Sequence, residues 1–335
     1  MELFGLDIGS SSIKLVQLEK EKDTLVLKAV GEAVSPQPGM EGETEAHLTE
    51  TATAIKKLLA DLKIKTKNVV LGIPEPKVIS RLIWFPSMKE SELQAALEFE
   101  AETFIPYPRG KVQLDYKIID KDKDGRLLVF VIACLNQIIE KYLKTAKLAD
   151  ITPVALESPA VSLCRVFAAN GSANLIMDIG AKYTVLTVGK SGNVFLTRTL
   201  PLGTESFLRA ISISLGIEVN AAEGYRRAYG LGENELEGKV RKAMMPLFEK
   251  LVEEIKKAIF SFKEEWQNEV GLITLCGGGA TTPGFTEQMA KILGVEVQLA
   301  QPFAKTKIIS PLPFEPNKEG ARFAVVFGLA ARDLI

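Results

Sequence analysis

The sequence predicts an α/β protein of two lobes carrying a small β-α-β-β-α insertion, and three observations carry that expectation. Two near-identical phrases, Phe4-Gly5-Leu6-Asp7-Ile8-Gly9-Ser10 and Leu175-Ile176-Met177-Asp178-Ile179-Gly180-Ala181, each run a short apolar strand into a carboxylate and a glycine, where the chain must turn tightly. A third apolar run, Leu272 to Cys276, enters Gly277-Gly278-Gly279 and then a helical pattern from Phe285 to Leu293. With 335 residues the chain exceeds one ordinary hydrophobic core, so two lobes or several subdomains follow.

Each element follows from period and punctuation. Residues 1–76 open the first lobe: Leu3 to Val34 alternates enough for three strands, a loop runs from Ser35 to Thr44, a helix spans His47 to Leu62, and a strand spans Asn68 to Ile73 before the break Pro74-Glu75-Pro76. Residues 77–150 form the insertion, with a strand from Lys77 to Phe85, a helix from Lys89 to Phe104, strands Val112 to Asp120 and Arg126 to Cys134, and a closing helix from Asn136 to Leu148. Residues 151–171 return to the first lobe with a connecting helix, and 172–202 hold the second hairpin. Residues 203–271 read as mostly helical, Glu249 to Glu265 being the longest amphipathic piece. Residues 272–335 return to the second lobe and end in a small-residue helix, Gly320 to Ile335, behind Pro311, Pro313 and Pro316.

Composition excludes several classes. Charged residues make up 25% and apolar ones 47%, with a net charge of −1, so nothing attracts a polyanion or an anionic membrane broadly. The N-terminus enters a strand at once without a basic leader, and no apolar run reaches the ~18 residues of a membrane span; a cytoplasmic location is expected. Cys134, Cys164 and Cys276 sit singly in apolar runs and read as buried reduced thiols. His47, the only histidine, reads as a surface residue. Asp120-Lys121-Asp122-Lys123-Asp124-Gly125 imitates the start of a calcium loop, but Val131 stands where the bidentate Glu belongs, and Asp124-Gly125 between alternating strands predicts a hairpin.

The glycine loops point to phosphate. Backbone N–H groups and small side chains at such turns cradle anions, and two carboxylates can hold a Mg²⁺ ion that keeps most of its waters. The glycine run at a strand-to-helix junction lets a flat ligand lie against bare backbone.

The ordered set Asp-x-Gly-x-x-x-x-Lys, Asp-x-Gly and Gly-Gly-Gly resembles the actin and sugar-kinase superfamily of ATP-binding proteins. Over essentially all residues the chain is similar to the PilM family of type IV pilus assembly, which is FtsA-like. That resemblance implies an actin-like (ribonuclease H-like) two-lobed ATPase fold, with 1A and 2A cores, a helical 2B subdomain and a 1C (SHS2-like) insertion. It places Gly9, Ser10, Ser11, Ser12 and Lys14 in the first phosphate motif and Gly180, Ala181 and Thr184 in the second. Gly277, Gly278, Gly279 and Thr282 fall in the adenosine motif, with Glu223 and Arg226 at the nucleoside; Arg226 stands where the family usually has Lys. Asp7 and Asp178 are the implied Mg²⁺ residues, acting through water. Ala155 to Arg165 and Phe323 to Arg332 match the two connecting helices.

For hydrolysis, Glu157 is the expected water-orienting carboxylate, although a charge at a helix N-terminus also serves the dipole. ATP or ADP is then expected mainly as a conformational ligand, with slow turnover. The resemblance also implies a partner: the N-terminal cytoplasmic peptide of PilN, held beside the insertion, with indirect recruitment to the inner membrane. Phe104-Ile105-Pro106-Tyr107-Pro108 presents apolar side chains on an extended, proline-fixed segment, so Phe99, Phe104, Ile105 and Tyr107 are the candidate peptide contacts. An FtsA-like filament protein would carry an amphipathic membrane helix after Ile335, and a small-molecule kinase would need an acceptor pocket; both stay open as alternatives, as do self-association and contact with other pilus motor proteins.

Overall fold

The computed structural model describes residues 2–108, 110–233, 235–309 and 312–335; Pro311 lies outside them. The chain opens with the antiparallel strands β1 (Phe4–Ile8), β2 (Ser12–Glu21) and β3 (Thr24–Val34). Helix α1 (Glu45–Asp61) starts two residues before His47, because the Thr44 side chain accepts from the His47 N–H and caps it. Strand β4 (Asn68–Gly72) then pairs parallel with β1.

Next come β5 (Val78–Phe85), α2 (Glu90–Ala101), β6 (Val112–Lys121), β7 (Leu127–Leu135) and α3 (Asn136–Leu148). Strands β5, β7 and β6 make a three-stranded sheet in that order. Leu93 and Leu97 of α2 pack on its Phe85, Leu127, Val129 and Val131. At the β6–β7 turn, Asp122 accepts from the backbone N–H groups of Asp124 and Arg126 and from the Arg126 side chain, which is hairpin chemistry. Helix α3 differs from the expectation that it closes the insertion. Its Tyr142 and Ala146 are buried with Ile55 and Leu58 of α1, so its apolar face belongs to the core of the larger sheet.

Strand β8 (Thr152–Glu157), unrecognised in the sequence, pairs parallel with β4, and α4 (Pro159–Phe167) follows. Pro153 and the exposed Thr152 and Val154 hide its strand pattern. The second lobe contains β9 (Ala173–Ile179), β10 (Thr184–Lys190) and β11 (Asn193–Leu200), then α5 (Thr204–Leu215), α6 (Val219–Tyr229) and α7 (Lys239–Trp266). Helix α7 begins ten residues earlier than the amphipathic pattern suggests and runs through Pro246. Burial of Val240, Met244, Phe248, Leu251 and Ile255 offsets the ~3 kcal/mol that an interior proline costs, at roughly 1.5–3 kcal/mol per large apolar side chain. The chain finishes with β12 (Val270–Cys276), α8 (Phe285–Leu293), β13 (Glu296–Leu299), β14 (Thr306–Ile308), α9 (Pro316–Glu319) and α10 (Ala324–Ala330). Helix α10 is shorter than Gly320 to Ile335 because residues 320–323 form a 3₁₀ turn.

The two large sheets repeat one plan. In the first the order is β14-β3-β2-β1-β4-β8, and in the second β11-β10-β9-β12-β13. Each contains an antiparallel meander followed by two parallel strands, the first sheet adding β14 parallel to β3 at its other edge, so β1 and β9 occupy equivalent places. The repeated phrases therefore put Asp7 and Asp178 at equivalent strand ends. Helices α4 and α10 pack together between the sheets. A Cβ on Gly328 would meet the Ser162 carbonyl oxygen at 2.3 Å, and one on Gly5 would meet the Val326 oxygen at 2.5 Å and the Ala330 nitrogen at 2.6 Å.

This crossing leaves no room for a methyl group. Gly5→Ala forces α10 away from β1 and lowers unfolding free energy by about 1–3 kcal/mol, the usual cost of overpacking, which denaturant titration measures; an unchanged midpoint contradicts this close approach of α10 to β1.

Candidate functional site

A cavity of about 800 Å³ separates the lobes. Asp7, Gly9, Ser10, Ser11, Ser12 and Lys14 line it from the first lobe, and Asp178, Gly180, Ala181, Glu223, Arg226, Gly277 and Gly278 from the second. Three candidate residues support it without lining it. Thr184 is fully buried and donates to the Leu202 carbonyl. Gly279 packs against Ile179, and its N–H donates to the Ile179 carbonyl. Thr282 donates to the Gly279 carbonyl and receives the Arg226 guanidinium.

The first loop is wired from behind. Ser35 Oγ donates to the Gly9 carbonyl at 2.6 Å, Gln37 Nε2 to the Ser10 carbonyl at 2.8 Å, and the Ser35 N–H to the Ser11 carbonyl at 3.1 Å. In a planar trans peptide the C=O and the following N–H point oppositely. The N–H groups of Ser10, Ser11 and Ser12 are thereby turned away from the Ser35–Gln37 segment, the polarity a phosphate cradle needs. On the other wall, Gly278 has open space where a Cβ would stand, and Gly277 holds φ at +82° with Asp178 Oδ1 2.4 Å from the site of a Cβ. A side chain there would displace a carboxylate.

The electrostatics suit a cation. Asp7 pairs with Lys14 across β1 and β2, and Lys14 Nζ donates to Ser12 Oγ at 2.6 Å. Burial raises the Asp7 carboxyl above its ordinary range, with Lys14 opposing. Asp178 is pushed up to about 6 by burial first and by Asp7 second, against Lys14 and the Cys276 thiol, which donates to it. Two enclosed carboxylates repel each other over one ammonium, and a divalent cation with its waters fits that donor set.

Two expected site residues are held by ion pairs. Arg226 is 2% exposed, and its guanidinium is bidentate to Glu223 at 2.8 Å and bonded to Thr282 Oγ1, which uses three of its five N–H donors. It braces α6 against the glycine loop while still lining the cavity. Burial alone would raise the Glu223 carboxyl, yet Arg226 and Arg227 hold it below the usual range. Glu157 is also consumed: Arg165 meets it with two hydrogen bonds of 2.7 Å and donates to the Gly328 carbonyl at 2.8 Å, with Arg332 at 3.7 Å. Glu157 is not among the residues lining the cavity; it knots β8 to the two connecting helices. A carboxylate that sequence reading passed over does line it. Glu75, between Pro74 and Pro76, is 5% exposed and accepts from the Ala160 N–H. Its signal was a charge flanked by two prolines at a strand end.

A second cavity, about 400 Å³, runs between α2 and β6. Ile105 and Tyr107 line it with Leu97, Val112, Leu114 and Tyr116. Phe104 instead lies under Arg81 at 5.4 Å, and Phe99 projects from α2, 70% exposed, outside the groove. Strand β6 is outermost in its sheet.

Duplicated sheets, facing hairpins and a cleft between them define an actin-like two-lobed protein. The chain superposes on ethanolamine utilization protein EutJ from Carboxydothermus hydrogenoformans with a TM-score of 0.58 at 16% identity, covering 98% of this chain and 88% of that one. It superposes on MreB5 of Spiroplasma citri bound to ADP at 0.55 and 13% identity, covering 99% and 95%. Residues 5–334 match the family profile of the type IV pilus assembly protein PilM, and the chain belongs to that family. It is similar to the PilM-PilN type IV pilus biogenesis complex, with a TM-score of 0.86 and 28% identity over 99% of this chain and 98% of that one. Cell division protein FtsA of Bacillus subtilis is 23% identical over 357 residues, spanning 89% of this chain and 78% of the relative.

The Asp178 shift makes a signed prediction. Its folded carboxyl titrates near 6 against an ordinary 3.8, so the folded state keeps a proton that the unfolded state loses, and stability is lost as pH rises through that window. Asp178→Asn has no such loss. In nucleotide-free protein with chelator, the variant should gain unfolding midpoint over wild type at pH 8 relative to pH 5; a constant difference contradicts the enclosed pair.

Proposed function

We propose that this chain is a nucleotide-binding assembly protein of the type IV pilus machinery, holding one Mg-ATP or Mg-ADP between its lobes and a short peptide of a membrane-anchored partner on its inserted sheet. The observation that carries the first half is the convergence of Asp7, Lys14 and Asp178 on one cavity walled by the wired loop at Ser10–Ser12 and the bare backbone of Gly277–Gly278. Bound Mg²⁺ supplies charge neutralisation for the phosphate oxygens. Asp7 and Asp178 hold its waters, Lys14 faces the phosphates, and the Gly277–Gly278 backbone accepts the nucleoside. Glu223, oriented by Arg226, is the polar group available to the ribose. With Glu157 tied into ion pairs, turnover is slow and nucleotide serves mainly to set the angle between lobes.

The second half rests on the groove between α2 and β6. An outermost strand beside an apolar wall accepts an extended peptide through backbone pairing, with alternate side chains in the groove. The N-terminal cytoplasmic peptide of a PilN protein is the proposed occupant, and it would recruit the chain to the inner membrane; no helix among the described residues is long and apolar enough to cross a membrane.

Isothermal calorimetry tests the cleft. Wild type should bind ADP in the presence of Mg²⁺, and Asp7→Ala with Asp178→Ala should remove the Mg²⁺ dependence while the fold survives; no binding by wild type ends this reading.

Peptide titration tests the groove. Tyr107→Ala should weaken the partner peptide by about 1 kcal/mol or more, roughly fivefold, whereas Phe99→Ala should leave it unchanged. Equal affinity for all three proteins would place the peptide elsewhere.

A further inference from the structure

Glu75 is a buried carboxylate in the wall of the proposed nucleotide cavity to which the binding contacts above give no role. It sits in a short 3₁₀ turn, Glu75–Lys77, with Pro74 and Pro76 on either side fixing the backbone. One oxygen accepts from the Ala160 N–H at 3.3 Å, in the first turn of α4, and the Ser158 side chain also bonds it. Together with Asp7 and Asp178 it lines the same space, and it feels the charge of Asp178 across that space. The neighbouring Glu157 is instead tied into ion pairs with Arg165 and Arg332 and does not line the cavity.

We infer that Glu75, rather than Glu157, is the catalytic carboxylate of this cleft, orienting a water against the terminal phosphate of bound ATP and receiving its proton. The inference rests on the nucleotide reading above. In the step, the water oxygen forms a bond to the terminal phosphorus and the bond from that phosphorus to the bridging oxygen breaks. The electron pair stays on ADP, and the water proton passes to a Glu75 carboxylate oxygen and then to solvent. Products are ADP, inorganic phosphate and one proton.

Two features make Glu75 suited to this work. Its position is fixed by the prolines and by the N-terminus of α4, a connecting helix, so its carboxylate is held in place beside a phosphate bound in the cleft. Its proton affinity is also matched to neutral pH: burial first, and Asp178 last, push its carboxyl up to about 7, with Ala160 and Ser158 opposing. A general base works best when its pKa lies near the working pH. The titratable groups around it are Asp178 on β9 and the buried Cys164 thiol of α4, whose proton the Glu75 charge helps to retain.

The test uses the full chain and Glu75→Gln, which keeps an acceptor oxygen for Ala160 and Ser158 but cannot take a proton. Mg-ADP affinity by calorimetry should equal that of wild type. Single-turnover hydrolysis of Mg-ATP should fall by on the order of 10²-fold, and Glu157→Gln should fall far less. In nucleotide-free protein, stability should decline between pH 5 and 8 less for Glu75→Gln than for wild type, a readout independent of turnover. If Glu75→Gln does not fold, Glu75→Asp, one methylene shorter, should bind Mg-ADP and lose hydrolysis. Hydrolysis by Glu75→Gln at the wild-type rate, or no hydrolysis by nucleotide-loaded wild type, overturns the assignment. Failure of wild type to bind Mg-ADP instead removes the nucleotide reading on which it stands.

Discussion

The crossing of α4 and α10 is the constraint on which the rest of the structure depends. Ser162 meets Gly328 backbone to backbone, and α10 presses on β1 where Gly5 has no side chain. Helix α10 contributes to two cores at once. Ala324, Val325 and Leu329 are buried with Leu163, Cys164 and the second-lobe strands, while Val326, Phe327 and Ala330 are buried with Val16, Leu18 and Phe323. Close-packed interiors transmit displacement rather than absorb it. A movement at either hairpin must therefore pass through this helix pair, and the Arg165 clamp between Glu157 and the Gly328 carbonyl is the polar part of the same joint.

From that joint the electrostatics of the cleft follow. The two sheets are brought face to face by short helices, so equivalent carboxylates at equivalent strand ends converge whether or not a cation is present. The apo protein carries the cost as raised carboxyl affinities at Asp7, Asp178 and Glu75. Such a site is destabilised at neutral pH, and the proposed cation with its phosphate would relieve it, because anything that binds the folded state alone adds stability by mass action. Stability and ligand binding thus share the same residues.

The sequence made the loops legible because glycine, aspartate and lysine at fixed spacing answer a local geometric demand. Asp7, Lys14, Asp178 and Gly278 all reach the cavity where motif reading put them. What it did not foresee were partners farther along the chain: Glu157 is held by Arg165 and Arg332, and no local pattern states which cation a carboxylate will find. The three-stranded sheet was legible from alternation, whereas α3 was assigned to it because chain order says nothing about which core an amphipathic face enters. Strand β8 vanished behind a proline and two exposed positions. Glu75 was hidden for a related reason: a charged residue between prolines reads as a surface loop, and only the packing of α4 shows that it is buried.

The two cavities differ in what they ask of a ligand. The cleft presents fixed charges and prearranged backbone dipoles, so it would discriminate by charge and geometry, and the proposed phosphate ligand would need a cation beside Asp7 and Asp178. The groove presents an apolar wall and an outermost strand, with Val112, Leu114 and Tyr116 facing inward along β6. For the proposed peptide, affinity there would come from apolar burial and strand pairing, and specificity from which side chains alternate into the groove. The sheet that carries the groove also rests on the second lobe. Leu82, Phe130 and Ile132 join the core of that lobe, Ser80 and Thr197 exchange a hydrogen bond at 3.3 Å, and Lys117 Nζ donates to Asn193 at 2.8 Å. Helix α3 follows β7 directly and is rooted in the first lobe. The inserted sheet is therefore footed on both lobes, and any change in the angle between them alters the ground on which β6 and α2 stand.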